Sequence, residues 1–346
     1  MKAIYIFASL LSVIIVNSCS TYYYVQTDVG RDLSVVRSVH TAGTDDGNVV
    51  FPFDPADGWK VSDADPAFEV DFHDVKEKMS HMAQKKAVDI REVPVGEEGA
   101  FSPLLSAEES LDKRFRWFYT YYDYRADFKG MRDMLPLPYE GYFTEEQLEL
   151  FFRGGNPPGD WNGIEMYYLL DDINQKFAKW YSDATYFVLC DIFEPFCTPQ
   201  QVAVLDASKE RFMEGIEREA MFAMQPDEFE ERLAAVAPEA GFGRIYEENA
   251  AAVDAAYERE ARIIDCFEVS FVYSMDMPGR YVDGNAENFI DGNPSWKVDA
   301  YRLMYGGLVL EATSRKANIW AFILTFAVIA FILQAFSKFC ELCGRN

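Results

Sequence analysis

The sequence predicts an α+β protein: an antiparallel β-rich extracytoplasmic domain with a helical insertion, followed by one C-terminal transmembrane helix. Three observations carry that expectation. Runs rich in β-branched and aromatic residues lie near both ends of the chain. Residues 140–265 between them show helix-start signals and helical periodicity. Beyond both, Ile319 to Phe336 runs without a charged residue. The expected organisation is a signal peptide (1–18), a β-rich part (19–139), the helical insertion (140–265), a second β-rich part of the same domain (266–314), the membrane helix (317–336) and a cytoplasmic tail (337–346).

From Thr21 the chain reads TYYYVQTDVGRDLSVVRSVHT, two β-rich runs broken at Gly30 to Asp32, which predicts a hairpin. Residues 43–66 are rich in Gly, Asp and Pro and predict loop. AFEVDFHDV alternates apolar and polar residues as a half-buried strand does, whereas VKEKMSHMAQKK is expected to form a short amphipathic helix. Another Pro/Gly-rich stretch ends near Ser106. RFRWFYTYYDYRADF is the most aromatic segment, and as one strand it places Phe115, Trp117, Tyr119 and Tyr121 on one face. Such a face can serve core packing or act as a stacking surface for sugars or lipid tails.

The middle changes character. Thr144 with Gln147 forms a capping-box pattern, Asp160 precedes an apolar-periodic run to about Glu194, and Thr198-Pro199 opens another helix. Helical stretches follow near 227–236 and 244–265. Strands resume with CFEVSFVYSMDMPG, the two DGN triplets at Asp283 and Asp291 read as turns, and SWKVDAYRL and GGLVLEATS lead into the apolar run.

The ends set the expected topology. MKAIYIFASLLSVIIVNSC has one charge at Lys2 and an apolar core from Ala3 to Val16, too short to span a bilayer and suited to a signal peptide. Val16, Ser18 and Cys19 resemble the lipobox of the bacterial lipoprotein family, with Asn17 where a small residue is usual. The resemblance implies diacylation of Cys19, which would become the mature N-terminus. At the other end, IWAFILTFAVIAFILQAF has Thr325 and Gln334 as its only polar members, and eighteen residues at about 1.5 Å each reach about 27 Å. Trp320 occupies an interfacial position, Arg315 and Lys316 flank one side, and Lys338 and Arg345 the other. Export of Cys19 followed by one span returns the tail to the cytoplasm, and a helical span indicates the inner membrane.

MPGRYVDGNAENFIDGNPSWKV loosely resembles the C-terminal module of a group of bacterial lipoproteins that includes the LppM-like proteins. Pro278, Gly279, Asn285 and Trp296 carry the likeness. It implies an antiparallel β fold with helices, able to enclose an apolar ligand, and brings no catalytic residues. The helical middle departs from that compact pattern.

With 49% hydrophobic and 16% aromatic residues in 346, the chain has ample material for a core. Its net charge of −25 is concentrated in the middle, because the flanks are weakly basic; that repels phosphate backbones and makes nucleic acid a poor partner. No HExxH, GxSxG or phosphate-loop pattern is present, so catalytic residues stay unassigned and no cofactor or metal is expected. His73 beside Asp74 offers an orientable imidazole, but a structural role explains it as well. The acidic stretch Asp54, Asp57, Asp63, Asp65 lacks calcium-loop spacing, as does Asp283, Asn285, Glu287. Cys190 and Cys197 could pair in an oxidising compartment, and Cys340 and Cys343 stand in CxxC spacing without a second pair. The expected function is a doubly anchored inner-membrane lipoprotein, its periplasmic domain a binding or scaffold module for an envelope protein or lipid. An envelope hydrolase or transferase using carboxylates and a transmembrane sensor remain the alternatives.

Overall fold

The computed structural model describes residues 21–42, 49–72, 75–96, 105–148, 150, 163–216 and 218–343. Eleven strands in these residues form two sheets. Before the helices come β1 (Thr21–Val29), β2 (Val35–Thr41), β3 (Lys60–Phe72), β4 (Val75–Ala87), β5 (Ala107–Phe115) and β6 (Tyr119–Phe128). After them come β7 (Val269–Asp276), β8 (Arg280–Gly284), β9 (Asn288–Ile290), β10 (Asn293–Asp299) and β11 (Leu308–Ala317). The seven-stranded sheet has the order β3-β4-β2-β1-β7-β10-β9 and the four-stranded sheet β5-β6-β11-β8. Each sheet therefore draws strands from both halves of the chain. Most pairings are antiparallel, but β1 and β7 pair in parallel, Thr21 opposite Val269 through Asp28 opposite Asp276. A parallel pair needs a long crossover, and the helical middle of the chain supplies it.

The hairpin expected from Thr21 forms, with Gly30 donating its N–H to Ser34 O at 2.7 Å across the turn. Two expectations are corrected. VKEKMSHMAQKK is the strand β4, paired with β2 on one side and β3 on the other, and β3 begins at Lys60 inside the predicted loop. Met79, Ala83 and Ala87 are buried, four residues apart. That spacing lies on one face of a strand as well as on one face of a helix. SWKVDAYRL likewise divides into the end of β10 and a helical turn at Ala300–Tyr305, capped by the Asp299 carboxylate on Arg302 N at 2.9 Å.

Nine α-helices lie in the described residues: α1 (Glu145–Gln147), α2 (Gly163–Phe193), α3 (Pro199–Met213), α4 (Arg218–Phe222), α5 (Pro226–Val236), α6 (Ile245–Glu260), α7 (Arg262–Asp265), α8 (Ala300–Tyr305) and α9 (Ile319–Cys343). Thr144 and Thr198 each close a capping box, with Gln147 and Gln201, so both helix starts sit where the sequence signals them. The start of α6 is held by a neighbour: the buried Glu230 carboxylate on α5 accepts N–H bonds from Gly243, Ile245 and Tyr246 at 2.7–2.9 Å. This places negative charge at the positive end of the helix dipole. Tyr186, Phe193, Phe212 and Phe229 interlock α2, α3 and α5. Phe177, Trp180 and Tyr181 of α2 stack on Phe267, just before β7, and Phe177 also on Tyr301 of α8, which joins the helical layer to the sheets. The two sheets meet through Tyr124 against Trp296 and Phe128 against Tyr273.

One ion pair is sealed between the sheets. Arg37 on β2 is 0% exposed and forks onto Glu109 of β5, Nη1 to Oε2 at 2.6 Å and Nη2 to Oε1 at 2.8 Å. Its remaining donors reach Thr27 Oγ1 at 2.9 Å and Val93 O at 2.7 Å, and Tyr124 donates its hydroxyl to Glu109 Oε1 at 2.8 Å. Every group of the pair is thus bonded, the condition under which a buried charge is tolerated.

Candidate functional site: the junction of the hairpin tip and the C-terminal helix

The aromatic segment is not one strand. β5 ends at Phe115 and β6 begins at Tyr119, and between them Arg116 N donates to Tyr119 O at 2.8 Å to close a hairpin tip. Phe115, Trp117, Tyr119 and Tyr121 therefore do not share one strand face. The tip instead gathers Phe115, Trp117, Phe118 and Tyr119 beside the first turns of α9. Phe115 stacks with Trp320 at 6.4 Å and Trp117 meets the same ring edge-on at 5.3 Å. Phe118 and Tyr119 flank Phe322 at 4.7 and 5.8 Å. Tyr121 stands away from this group, with the Arg114 guanidinium over its ring at 5.5 Å.

A single residue, Asn318, joins β11 to α9, and its side chain fastens the helix to the tip. Its Nδ2 donates to Arg116 O at 2.8 Å and its Oδ1 accepts from Thr120 Oγ1 at 2.9 Å. Its backbone N–H reaches Phe118 O at 2.9 Å, while its own carbonyl accepts from Ala321 N at 2.8 Å. Ala321 is fully buried under the tip. Further along, Trp117 Nε1 donates to Thr325 Oγ1 at 2.9 Å. The helix is therefore clamped over two turns rather than hinged. Past the clamp α9 is bare: between Thr325 and Phe336 seven large apolar side chains are exposed.

The strands fix which end of the domain faces this junction. β7 runs from Val269 toward Pro278, whose carbonyl accepts from Ser314 Oγ at 3.1 Å, close to where β11 meets α9. Gly279 follows with φ of 106°, and a Cβ there would collide with the Arg315 backbone. β1 lies parallel to β7, and beyond its end Arg31 O accepts from Lys113 Nζ at 2.6 Å, two residues from the hairpin tip. Thr21 therefore stands at the opposite end of β1, roughly 26 Å away at about 3.3 Å per residue. Cys19 lies outside the described residues, but the chain reaches Thr21 two residues later. By strand direction, β1 starts and β11 ends at opposite ends of the domain.

The other candidates are placed as follows. Cys190 is buried, Cys197 half-buried, and both are free thiols; the pairing that their spacing allows is not made. Burial pushes their thiols up, to about 12 and about 11, so neither is a ready thiolate. Cys340 and Cys343 fall in the last turns of α9. His73 and Asp74 lie outside the described residues. His40 is buried against Tyr24, and burial lowers its pKa to about 4. His81 pairs with Asp63 at 3.2 Å, and Asp54 accepts from Ala56 N within its own turn.

Asn285 and Trp296 have structural work. Asn285 Oδ1 accepts from Trp296 Nε1 at 2.9 Å and Glu311 N at 2.8 Å, and its Nδ2 donates to Val309 O at 2.6 Å, tying β10 to β11 across the two sheets. Sequence reasoning missed one feature, the carboxyl pair Asp265 and Glu268 at the entry to β7. Burial raises the Asp265 carboxyl to about 6, and burial with Asp265 nearby raises Glu268. Such a pair can retain a proton under mildly acidic conditions. Nothing in the local sequence sets these two acids apart from the chain's other carboxylates.

No protein-family model, no curated protein and no solved structure matches the chain, so its own geometry carries the functional reading.

Proposed function

We propose that the chain is an extracytoplasmic binding or scaffold module for an envelope protein or a lipid, held in a bacterial inner membrane by α9, with the tail after Phe336 in the cytoplasm. The observation that carries this reading is the bareness of α9. An apolar helix in the core of a soluble protein is covered by its neighbours, whereas Ile319–Lys338 stands almost wholly clear of the domain. Leaving that surface in water costs about 25 cal/mol per Å², a penalty that a hydrocarbon surround removes. The clamp at Asn318 gives the domain a set orientation to the bilayer, which suits a module that presents a surface.

An acylated Cys19 belongs to this proposal in one arrangement. Because Thr21 stands at the far end of β1, both tethers reach one bilayer when the domain lies along it.

Alkaline carbonate extraction of the full chain, the Cys19→Ala variant and a chain ending after Asn318, with metabolic labelling by a palmitate analogue, tests these statements. The full chain and Cys19→Ala are expected in the membrane pellet; release of either by carbonate contradicts anchorage through α9. The shortened chain then reads the second tether: labelled and retained if Cys19 is acylated, unlabelled and free if the leader is an ordinary signal. Mass spectrometry of the detergent-extracted protein identifies a bound lipid or co-purified partner.

A further inference from the structure

We infer that the β5–β6 hairpin tip, Phe115 to Phe118, is itself a membrane-inserted wedge whose partner is the headgroup and upper acyl layer of a phospholipid bilayer. The inference rests on the reading of α9 as a span and adds a second membrane contact to it. Depth is the first argument. Trp117 Nε1 bonds Thr325 Oγ1 at 2.9 Å, and Thr325 lies six residues, or about 9 Å, into the helix from Ile319. Headgroup layers are about 5–8 Å thick on each side of the hydrocarbon core. If α9 enters at Ile319, the tip backbone, bonded to Asn318, lies at the entry level and the Trp117 indole reaches through the headgroup layer to the edge of the acyl chains.

Composition and bonding agree with that depth. Phe115, Trp117 and Phe118 are 59, 47 and 37% exposed, an unfavourable arrangement in water and the residue types that favour an interface. Polar groups at that depth need internal partners. The Trp117 indole and the Thr325 hydroxyl satisfy one another, and the Arg116 and Phe118 carbonyls accept from Asn318. Charge supplies the second argument. In a chain of net −25, cations stand at this end, among them Lys113, Arg114 and Arg116 on the hairpin, Arg280 on β8 opposite Arg315, and Arg315 and Lys316 on β11, alongside the acids Asp112 and Asp123. Arg114 is paired with Asp123, and Arg315 lies over the Tyr119 ring at 4.8 Å. Apart from Arg116, which lies in the tip itself, these cations stand one step back from the aromatic side chains, at the level where lipid phosphates lie. The wedge and the span together fix tilt as well as depth, which one helix alone does not.

Fluorescence quenching by lipid bromine tests the inference on the full chain. Wild type, Trp117→Phe and Trp320→Phe are reconstituted in phosphatidylcholine/phosphatidylglycerol vesicles with and without brominated acyl chains. Each indole's emission is the difference between wild type and its variant. Trp117 emission is expected to be quenched by the brominated lipid as strongly as Trp320 emission and to resist aqueous iodide. Quenching of Trp320 without quenching of Trp117 overturns the wedge and leaves the span intact; quenching of neither overturns the span itself. Trp117 shielded from both quenchers indicates a second copy or another protein on the tip and also overturns the wedge. Trp117→Phe combined with Phe118→Trp moves the reporter one position, and its indole is expected to be quenched likewise.

Discussion

Removing Glu109 should destabilise the domain more than any other single carboxylate truncation in the described sheets, because it strands Arg37. The guanidinium is 0% exposed and would keep Thr27 Oγ1 and Val93 O while losing both carboxylate bonds. Breaking a buried pair from one side typically costs about 3–5 kcal/mol, against a total domain stability of about 5–15 kcal/mol. Glu109→Leu also frees the Tyr124 hydroxyl, which now donates to Glu109. The apolar pair Arg37→Met with Glu109→Leu removes both charges and keeps volume, so its loss should fall below the sum of the two single losses by on the order of 2–4 kcal/mol. Equilibrium urea unfolding of the full chain in detergent, followed through the buried indoles Trp180 and Trp296, measures all four states of this cycle. A double variant whose loss equals the sum of the singles would refute the claim that this pair couples the two sheets.

Two further outcomes are expected. The Asp265 carboxyl is held protonated up to about 6, whereas an unfolded carboxylate titrates near ~4. The native state therefore binds more protons between those values, and stability should fall as pH rises through that window and level off above it. Asp265→Asn should flatten the fall, gaining on the order of 2 kcal/mol at neutral pH relative to wild type; unchanged pH profiles by urea unfolding would contradict the assignment. Asn285→Ala leaves the buried Trp296 N–H without its acceptor and should cost about 2–3 kcal/mol, whereas in a Trp296→Phe background, which has no N–H to satisfy, the same change should cost less; equal losses in thermal unfolding would count against that bond.

Local chemistry was legible in the sequence and long-range pairing was not. Thr144 and Thr198 announce helix starts because a capping box is made within four residues. The hairpin at Gly30 is signalled by its own turn residues. β4 was unreadable from its pattern, since Met79, Ala83 and Ala87 fit both periods and β2 and β3 decide between them. The tip at Arg116 to Phe118 carries no Gly, Pro, Asn or Asp to mark a turn; its partner is Asn318, about two hundred residues later. The parallel pairing of β1 with β7 likewise crosses the whole helical middle, and with it went the direction of β1 relative to α9. Aromatic richness did draw attention to Phe115, Trp117 and Tyr119, but the face they form belongs to a helix junction, not to a strand.

The account stands on α9 crossing a bilayer with the domain on the outer side. Thiol labelling of intact spheroplasts with an impermeant maleimide tests this directly, comparing the native Cys340 and Cys343 with an exposed reporter made by Asp57→Cys. The reporter should react in intact spheroplasts, and the two tail cysteines should react once the membrane is permeabilised. Labelling of Cys340 or Cys343 from outside, or protection of the Asp57→Cys thiol, would contradict it.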